Sequence, residues 1–140
     1  EPVLAAGTVL PAAGSYDVVF DSPSAARAGK FSFRYWLNDT TPPTALLKTK
    51  RVKRGAPLIV ASSDRGSGVD PSSLVVIVGG EERGARFAAG RARISTEGLR
   101  PGKHVLRLQI SDYQETRNME NVGLILPNTR ILVTSFVVTP

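Results

Sequence analysis

The sequence predicts an all-β protein folded as a β-sandwich, and two observations lead to this prediction. Apolar and polar residues alternate along most of the chain, whereas a helical period is hard to find. Thirteen glycines and ten prolines among 140 residues punctuate the alternating stretches, as turns between short strands require. No apolar run approaches the roughly 18 residues of a membrane span. The chain has no cysteine, which excludes disulfides, thiolate metal sites and cysteine nucleophiles.

The first 38 residues are predicted to supply the terminal strands of a preceding β-sandwich module. Residues 15–21 place Tyr16, Val18 and Phe20 on one face, and residues 30–38 alternate in the same way. Residues 39–44 read DTTPPT, and a proline pair cannot continue a hydrogen-bonded ladder. We therefore place a boundary there and expect residues 39–140 to form a second β unit.

Short strands recur after this boundary every 10–15 residues. The clearest is residues 103–112, with Leu106, Leu108 and Ile110 directed inward. A connection of sixteen residues, 113–128, is too long for a hairpin and is predicted to be functional or to hold a short turn of helix. The predicted strands are residues 44–50, 57–63, 74–78, 83–87, 91–96, 103–112 and 130–138.

Three stretches of the second unit carry a family resemblance: DTTPPT (39–44), SSDRGSGVDPSS (62–73) and GKHVLRLQISD (102–112). Together they resemble the bacterial immunoglobulin-like domains that are repeated in secreted and cell-surface proteins. The resemblance implies an immunoglobulin-like or fibronectin III-like β-sandwich over residues 39–140. One departure is that no Gly-Asn turn follows Asp112, so the loop after it is altered or enlarged.

The loop at 62–73 has a local interpretation of its own. The Asp64 carboxylate is expected to accept backbone N–H bonds from its turn, and Gly66 and Gly68 are expected to adopt positive φ. Residues 70–73 are predicted to form a tight turn or a single 3₁₀ turn before the strand at Leu74.

A second resemblance concerns the N-terminal part. AGSYDVVFDS (13–22) and GKFSFRYW (29–36) are similar to the small β modules that follow the catalytic domain of secreted subtilisin-like proteases. The two resemblances imply a non-catalytic accessory or spacer module, secreted or on the cell surface, with partner domains in the same parent chain. One alternative is a carbohydrate- or cell-wall-binding module; another is the C-terminal fragment of a subtilisin-like protease. We expect a monomer or weak dimer.

Charge is uneven. The first forty residues carry three basic and four acidic side chains, and the remaining hundred carry fifteen and eight. A dense basic run could contact nucleic acid, anionic cell-wall polymer or membrane headgroups, or be a solvated strand end and loop. We favour the second interpretation and expect no nucleic-acid partner, because no aromatic residue is interleaved to stack on bases. The run comprises Lys48, Lys50, Arg51, Lys53 and Arg54.

Metal and catalytic sites receive little support from the sequence, and no cofactor is predicted. Carboxylates could supply oxygens for Ca²⁺ if their loops meet at one end of the sandwich, but Asp64 and Asp70 also fit a role in turn capping. The lone His104 is expected to bond a neighbouring loop, and no Gly-x-Ser-x-Gly elbow is present, so we do not predict an enzyme. The Ca²⁺ candidates are Asp64, Asp70 and Asp112, with Glu115 and Glu120.

One aromatic cluster has two interpretations. Trp36, with Tyr35 and Phe33, could stack on a sugar. The position of Trp36 just before the boundary favours instead a role in closing a strand face or a seam between domains.

Overall fold

The computed structural model describes residues 13–30, 32–37, 39–117 and 128–140. The chain divides into two compact units, Glu1–Tyr35 and Trp36–Pro140. All strands of the described residues belong to the second unit, and they form two sheets, which confirms the all-β class. The strands are β1 (Thr44–Leu47), β2 (Arg51–Lys53), β3 (Leu58–Ser63), β4 (Val75–Val78), β5 (Glu81–Glu82), β6 (Ala85–Ala88), β7 (Arg91–Ile94), β8 (Gly102–Ser111) and β9 (Thr129–Thr139).

The two sheets share one apolar core, and we call them together the two-sheet body. The first sheet has the order β1-β3-β7-β6, and the second has the order β2-β9-β8-β4-β5. Alternation sets the inward face, because Leu106, Leu108 and Ile110 of β8 are fully buried while Val105, the residue before Leu106, is half exposed. The buried apolar residues among those described are Val52, Leu58, Val60, Val76, Val78, Ala92, Ile94, Leu99, Leu106, Leu108, Ile110, Phe136 and Val138.

The longest ladder defines two ends of the two-sheet body. Strands β8 and β9 are antiparallel over ten pairs, from Ser111↔Thr129 at the end we call upper to Gly102↔Val138 at the end we call lower. Thr44 and Ser63 pair where β1 begins and β3 ends. The carboxylates of residues 64 and 112, which follow β3 and β8, lie close together, so both strands finish at the upper end.

Two predicted strands, at 15–21 and 30–38, do not form within the residues that the structure describes, which exclude 31 and 38. Residues 13–30 and 32–37 contain no hydrogen-bonded strand, although their alternation predicted two. Their apolar side chains are largely exposed, with Val19 at 82% and Tyr35 at 79%. An isolated pair of strands is at best marginally stable, because each needs a further strand or a packed face to bury its apolar side. Rings do associate in this unit, since the centroids of Phe20 and Phe33 lie 4.8 Å apart.

The long connection after β8 contains the predicted short helix. Helix α1 (Tyr113–Arg117) follows Asp112 directly, and residues 118–127 lie outside the described part of the chain. A 3₁₀ helix at Pro71–Ser73 precedes β4, as its sequence predicted. Both short helices lie near the upper end, because Asp70 donates its backbone N–H to the carbonyl of Ser111 at 3.0 Å.

Candidate functional site

Three carboxylates converge at the upper end of the two-sheet body. Asp39, Asp64 and Asp112 each offer one oxygen, and these oxygens all lie within 4.8 Å of one another. Asp39 precedes β1, Asp64 follows β3 and Asp112 follows β8, so three separate segments meet there. We call these three residues the acidic cluster.

Asp112 is the buried member of the acidic cluster, with no exposed surface. One carboxylate oxygen accepts the backbone N–H of Glu115 at 2.9 Å at the start of α1. The other oxygen is buried and has no hydrogen-bond partner among the described residues. Burial, together with the negative charges of Asp39 and Asp64, raises the pKa of Asp112 to about 6, although the hydrogen bond from Glu115 acts in the opposite direction.

Asp39 is half buried and bridges its own segment to the loop after β3. Its carboxylate accepts the backbone N–H of Thr41 at 3.1 Å and that of Ser67 at 2.7 Å. Burial alone would raise the pKa of Asp39, but these backbone bonds outweigh it and hold the pKa below its usual range. The Asp39 carboxylate is therefore fixed in its charged form by the backbone around it.

The loop of Asp64 forms as a turn closed by its own side chain. The Asp64 carboxylate accepts the backbone N–H of Gly68 at 2.7 Å, as predicted, and Gly68 has φ +88°. The prediction of a positive φ for Gly66 is wrong. Gly66 serves a different purpose, because a Cβ built there would overlap the carboxylate of Asp39. Only glycine lets that carboxylate approach the loop so closely.

Asn128 adds a neutral polar group beside the acidic cluster. Its side chain is 1% exposed, and its Nδ2 donates to the backbone carbonyl of Asp39 at 2.6 Å. Its side-chain oxygen Oδ1 is buried without a partner among the described residues. The backbone N–H of Asn128 is held by Glu115 Oε2 at 3.0 Å, which fixes the residue in place.

The sequence candidates for Ca²⁺ are only partly brought together. Asp64 and Asp112 meet, whereas Asp70 lies outside the acidic cluster and caps the 3₁₀ helix by accepting the N–H of Ser72 at 2.8 Å. The other Asp70 oxygen accepts from Thr116 Oγ1 at 2.6 Å and lies 3.8 Å from Arg117. Burial opposes these contacts, yet they hold the pKa of Asp70 below its usual value. Glu120 lies outside the described residues.

Two members of this site did not emerge from the sequence. In the sequence, Asp39 is only the start of the DTTPPT boundary, and Asn128 is only the last residue of the long connection. Neither position could be found from residue spacing. Asp39 is placed by the backbone N–H groups of Thr41 and Ser67, and the place of Asn128 depends on how the connection folds back.

Trp36 lies in the second unit and is half buried. Its indole N–H donates to Gln114 Oε1 at 2.6 Å, and the Gln114 backbone N–H donates to Ser67 Oγ at 2.9 Å. Ser67 in turn bonds Asp39, so Trp36 is linked to the acidic cluster through two residues. Tyr35 and Phe33 belong to the first unit, where their ring centroids lie 6.2 Å apart.

The basic run contains a strand that alternation did not reveal. Val52 of β2 is buried, and the strand pairs in parallel with β9 at one edge of the second sheet. The charged side chains around it point to solvent, in keeping with the interpretation as a solvated strand end and loop. The exposed members are Lys48, Lys50, Arg51, Lys53 and Arg54.

His104 occupies a structural position near the lower end. Its Nε2 donates to the backbone carbonyl of Arg100 at 2.8 Å, and its ring centroid lies 5.6 Å from that of Phe136. The hydrogen bonds of the described residues show no serine or carboxylate joined to this imidazole. Glu81 and Glu82 form the short strand β5 beside a two-glycine turn, and both are exposed.

Neither a protein-family model nor a curated protein matches this sequence. Within the described ranges, none of the helices has the length and apolar character needed to cross a membrane.

Proposed function

We propose that the chain is a non-catalytic spacer module of a larger secreted or cell-surface protein, with an immunoglobulin-like second unit. The observation that carries this proposal is the placement of the two ends of the two-sheet body. The chain reaches the body at Asp39 at the upper end and leaves it after Thr139, which pairs with Lys53 at the lower end. A body of this kind adds its own length between whatever precedes and follows it.

The attachment at the upper end is built from specific contacts. The Asp39 carbonyl accepts from Asn128, and the Pro43 carbonyl accepts from Arg130 Nε at 2.9 Å. These bonds fix the segment before β1 against the start of β9. The separation of the two ends is about 30–35 Å, because β8 spans ten residues at about 3.3 Å each. The segment before β1 is therefore expected to be held firmly within the second unit.

The geometry around His104 supports the non-catalytic part of the proposal. General base catalysis requires the imidazole to reach the proton that it removes. The Nε2 of His104 is instead engaged with the Arg100 carbonyl, and Phe136 flanks the ring.

Distance and turnover measurements test the spacer proposal. The chain has no cysteine, so spin labels at T40C and P140C report the separation of the ends directly. We expect one narrow distribution near the length given above. The pair T40C and S63C, both at the upper end, is the control and should give a much shorter distance. A broad or short distribution for the first pair would contradict a rigid spacer, and hydrolysis of model esters or peptides that disappears in H104A would contradict a non-catalytic role.

A further inference from the structure

We propose that the upper end of the two-sheet body binds Ca²⁺ through the acidic cluster, Asp39, Asp64 and Asp112, together with the side-chain oxygen of Asn128. This site does not depend on the spacer function, since a rigid body can separate two domains with or without a bound ion.

The spacing of the carboxylate oxygens suits one shared ion. Calcium binds oxygen at 2.3–2.6 Å, so two ligands on opposite sides of the ion stand about 5 Å apart at most. The three oxygens of the acidic cluster lie within 4.8 Å of one another, which is inside that limit. The spacing is therefore compatible with one shared Ca²⁺ without rearrangement of the three carboxylates.

Two buried oxygens give a second, independent reason. The free oxygen of Asp112 and the Oδ1 of Asn128 have no hydrogen-bond partner within the described ranges, although their side chains are 0% and 1% exposed. Leaving a buried polar group unpaired is unfavourable, so such groups in a folded protein need an explanation. The Nδ2 of Asn128 donates to the backbone carbonyl of Asp39, which places this amide group beside the cluster. A cation bound there would satisfy both atoms.

Charge and ligand type point to the same class of ion. The two salt bridges among the described residues join Arg83 to Glu81 and Arg117 to Asp70, so neither neutralises the acidic cluster. Like charges at this distance in a partly buried site repel one another, and a divalent cation removes that repulsion. All the candidate ligands are oxygens, which favour hard cations over zinc or copper.

Binding would tie three segments that are distant in sequence. Asp39 belongs to the segment before β1, Asp64 to the loop after β3, and Asp112 to the end of β8. An ion shared by these residues holds the incoming chain to both sheets at once. We therefore expect Ca²⁺ to stabilise the second unit and to protect the segment around Asp39 from local opening.

Calorimetric titration and thermal unfolding of the full chain test the proposal, with CaCl₂ and MgCl₂ as the probes. We expect Ca²⁺ binding at millimolar concentration or below and a rise of Tm by roughly 5–10 °C at saturation. D39N and D64N, which change half-exposed members of the cluster, should lower the affinity by about tenfold or more. E82Q is the matched control, because it removes one exposed negative charge on β5, outside the acidic cluster, and should leave the affinity unchanged.

Circular dichroism distinguishes loss of the site from loss of the fold. Should D39N fail to fold, D64N carries the test, because its Asn side chain can still accept the Gly68 N–H. Wild type that neither binds nor is stabilised at 10 mM Ca²⁺ would overturn the proposal, as would full affinity in both D39N and D64N. Equal stabilisation by Ca²⁺ and Mg²⁺ that persists in D64N would also overturn it, since that pattern reflects general charge screening.

Trp36 offers a spectroscopic readout of the same site. It is the sole tryptophan of the chain and is linked to Asp39 through Gln114 and Ser67. Tb³⁺, a luminescent ion with the ligand preference of Ca²⁺, should therefore be sensitised by excitation of Trp36 and displaced by added Ca²⁺. Sensitised emission that Ca²⁺ does not displace would count against a shared site.

Discussion

The carboxylate of Asp39 lies directly against the α-carbon of Gly66, so that a methyl group at residue 66 would occupy the space of its oxygens. The Asp39 carboxylate cannot simply swing away, because it accepts the backbone N–H groups of Thr41 and Ser67. The absence of a side chain at Gly66 is thus what lets the segment before β1 dock on the loop after β3.

We predict that Gly66→Ala destabilises the second unit by about 1–3 kcal/mol, the range for forcing extra atoms into a packed site or for losing a partner of a fixed charged group. Urea unfolding followed by circular dichroism measures the change. Gly84→Ala is the control, because a Cβ added at Gly84 would have no other atom within 4 Å and the backbone there does not adopt a positive φ. Equal stability of the two variants would show that Asp39 moves aside freely.

The core prediction contrasts two positions on neighbouring strands of one sheet. Leu108 on β8 is fully buried, whereas Ile131 on β9 is 50% exposed on the outer face. Leu108→Ala should lower the free energy of unfolding by about 2–5 kcal/mol, because it removes buried methyl groups and leaves a cavity. Ile131→Ala should change it by less than about 1 kcal/mol. A reversed order would contradict the assignment of inner and outer faces.

Protonation of Asp70 should lower the stability of the folded state at acidic pH. Its pKa is lowered in the folded state by Ser72, Thr116 and Arg117 despite burial, so the folded state binds its proton less readily than the unfolded chain. The resulting stability is fully present above the unfolded pKa of about 3.9 and is lost as the pH falls through the lower folded value. Asp70→Asn lacks this dependence.

Urea unfolding between pH 3 and pH 7 in the presence of a chelator measures this effect. The stability difference between the wild type and Asp70→Asn should be constant near neutral pH and shrink below about pH 4. A difference that grows on acidification would show that the sign of the shift is wrong.

The exposed charges on β2 should protect an open sheet edge. Arg51 and Lys53 flank the buried Val52 on a three-residue edge strand, and edge charges hinder pairing with another chain. The double change R51T/K53T should increase the dimeric fraction in size-exclusion chromatography with light scattering. R27T/K30T removes two charges outside any strand and should leave the monomer fraction unchanged. Equal behaviour of both variants would assign the effect to net charge alone.

Strands whose periodicity was strong and whose partners lie close in sequence could be predicted. The inward residues of β8 and the strands of the β6–β7 hairpin follow from alternation and turn chemistry, whereas β5 was not predicted as a strand. The strand β2 could not be predicted, because it has one apolar residue and pairs with β9 more than eighty residues later. Residues 15–21 and 30–38 were predicted as strands from their alternation, but the described residues of these stretches form none. An alternating segment needs a neighbouring strand to pair with before it becomes part of a sheet.

The acidic cluster could be predicted only in part. Asp64 and Asp112 were candidates because carboxylates could supply oxygens for Ca²⁺ if their loops met at one end of the sandwich, but nothing in the sequence fixes which strands finish at the same end. Asp70 was grouped with them by residue type, yet its side chain is held by Ser72 and Thr116. Asp39 and Asn128 join the site through backbone contacts, which leave no trace in residue spacing.

The parallel pairing of β2 with β9 has a mechanical consequence. Tension applied between Asp39 and Pro140 first loads the pairing of β1 with β3. Once the tension reaches β2, it pulls β2 toward its N-terminus and β9 toward its C-terminus, so the two strands are forced to slide past each other. The bonds that join Val137 to Lys50 and Arg54 to Thr139 then bear the load together instead of opening one after another. A chain anchored in this way resists stretching at the pairing of β2 with β9, next to its C-terminus, before the core formed by β8 is disturbed.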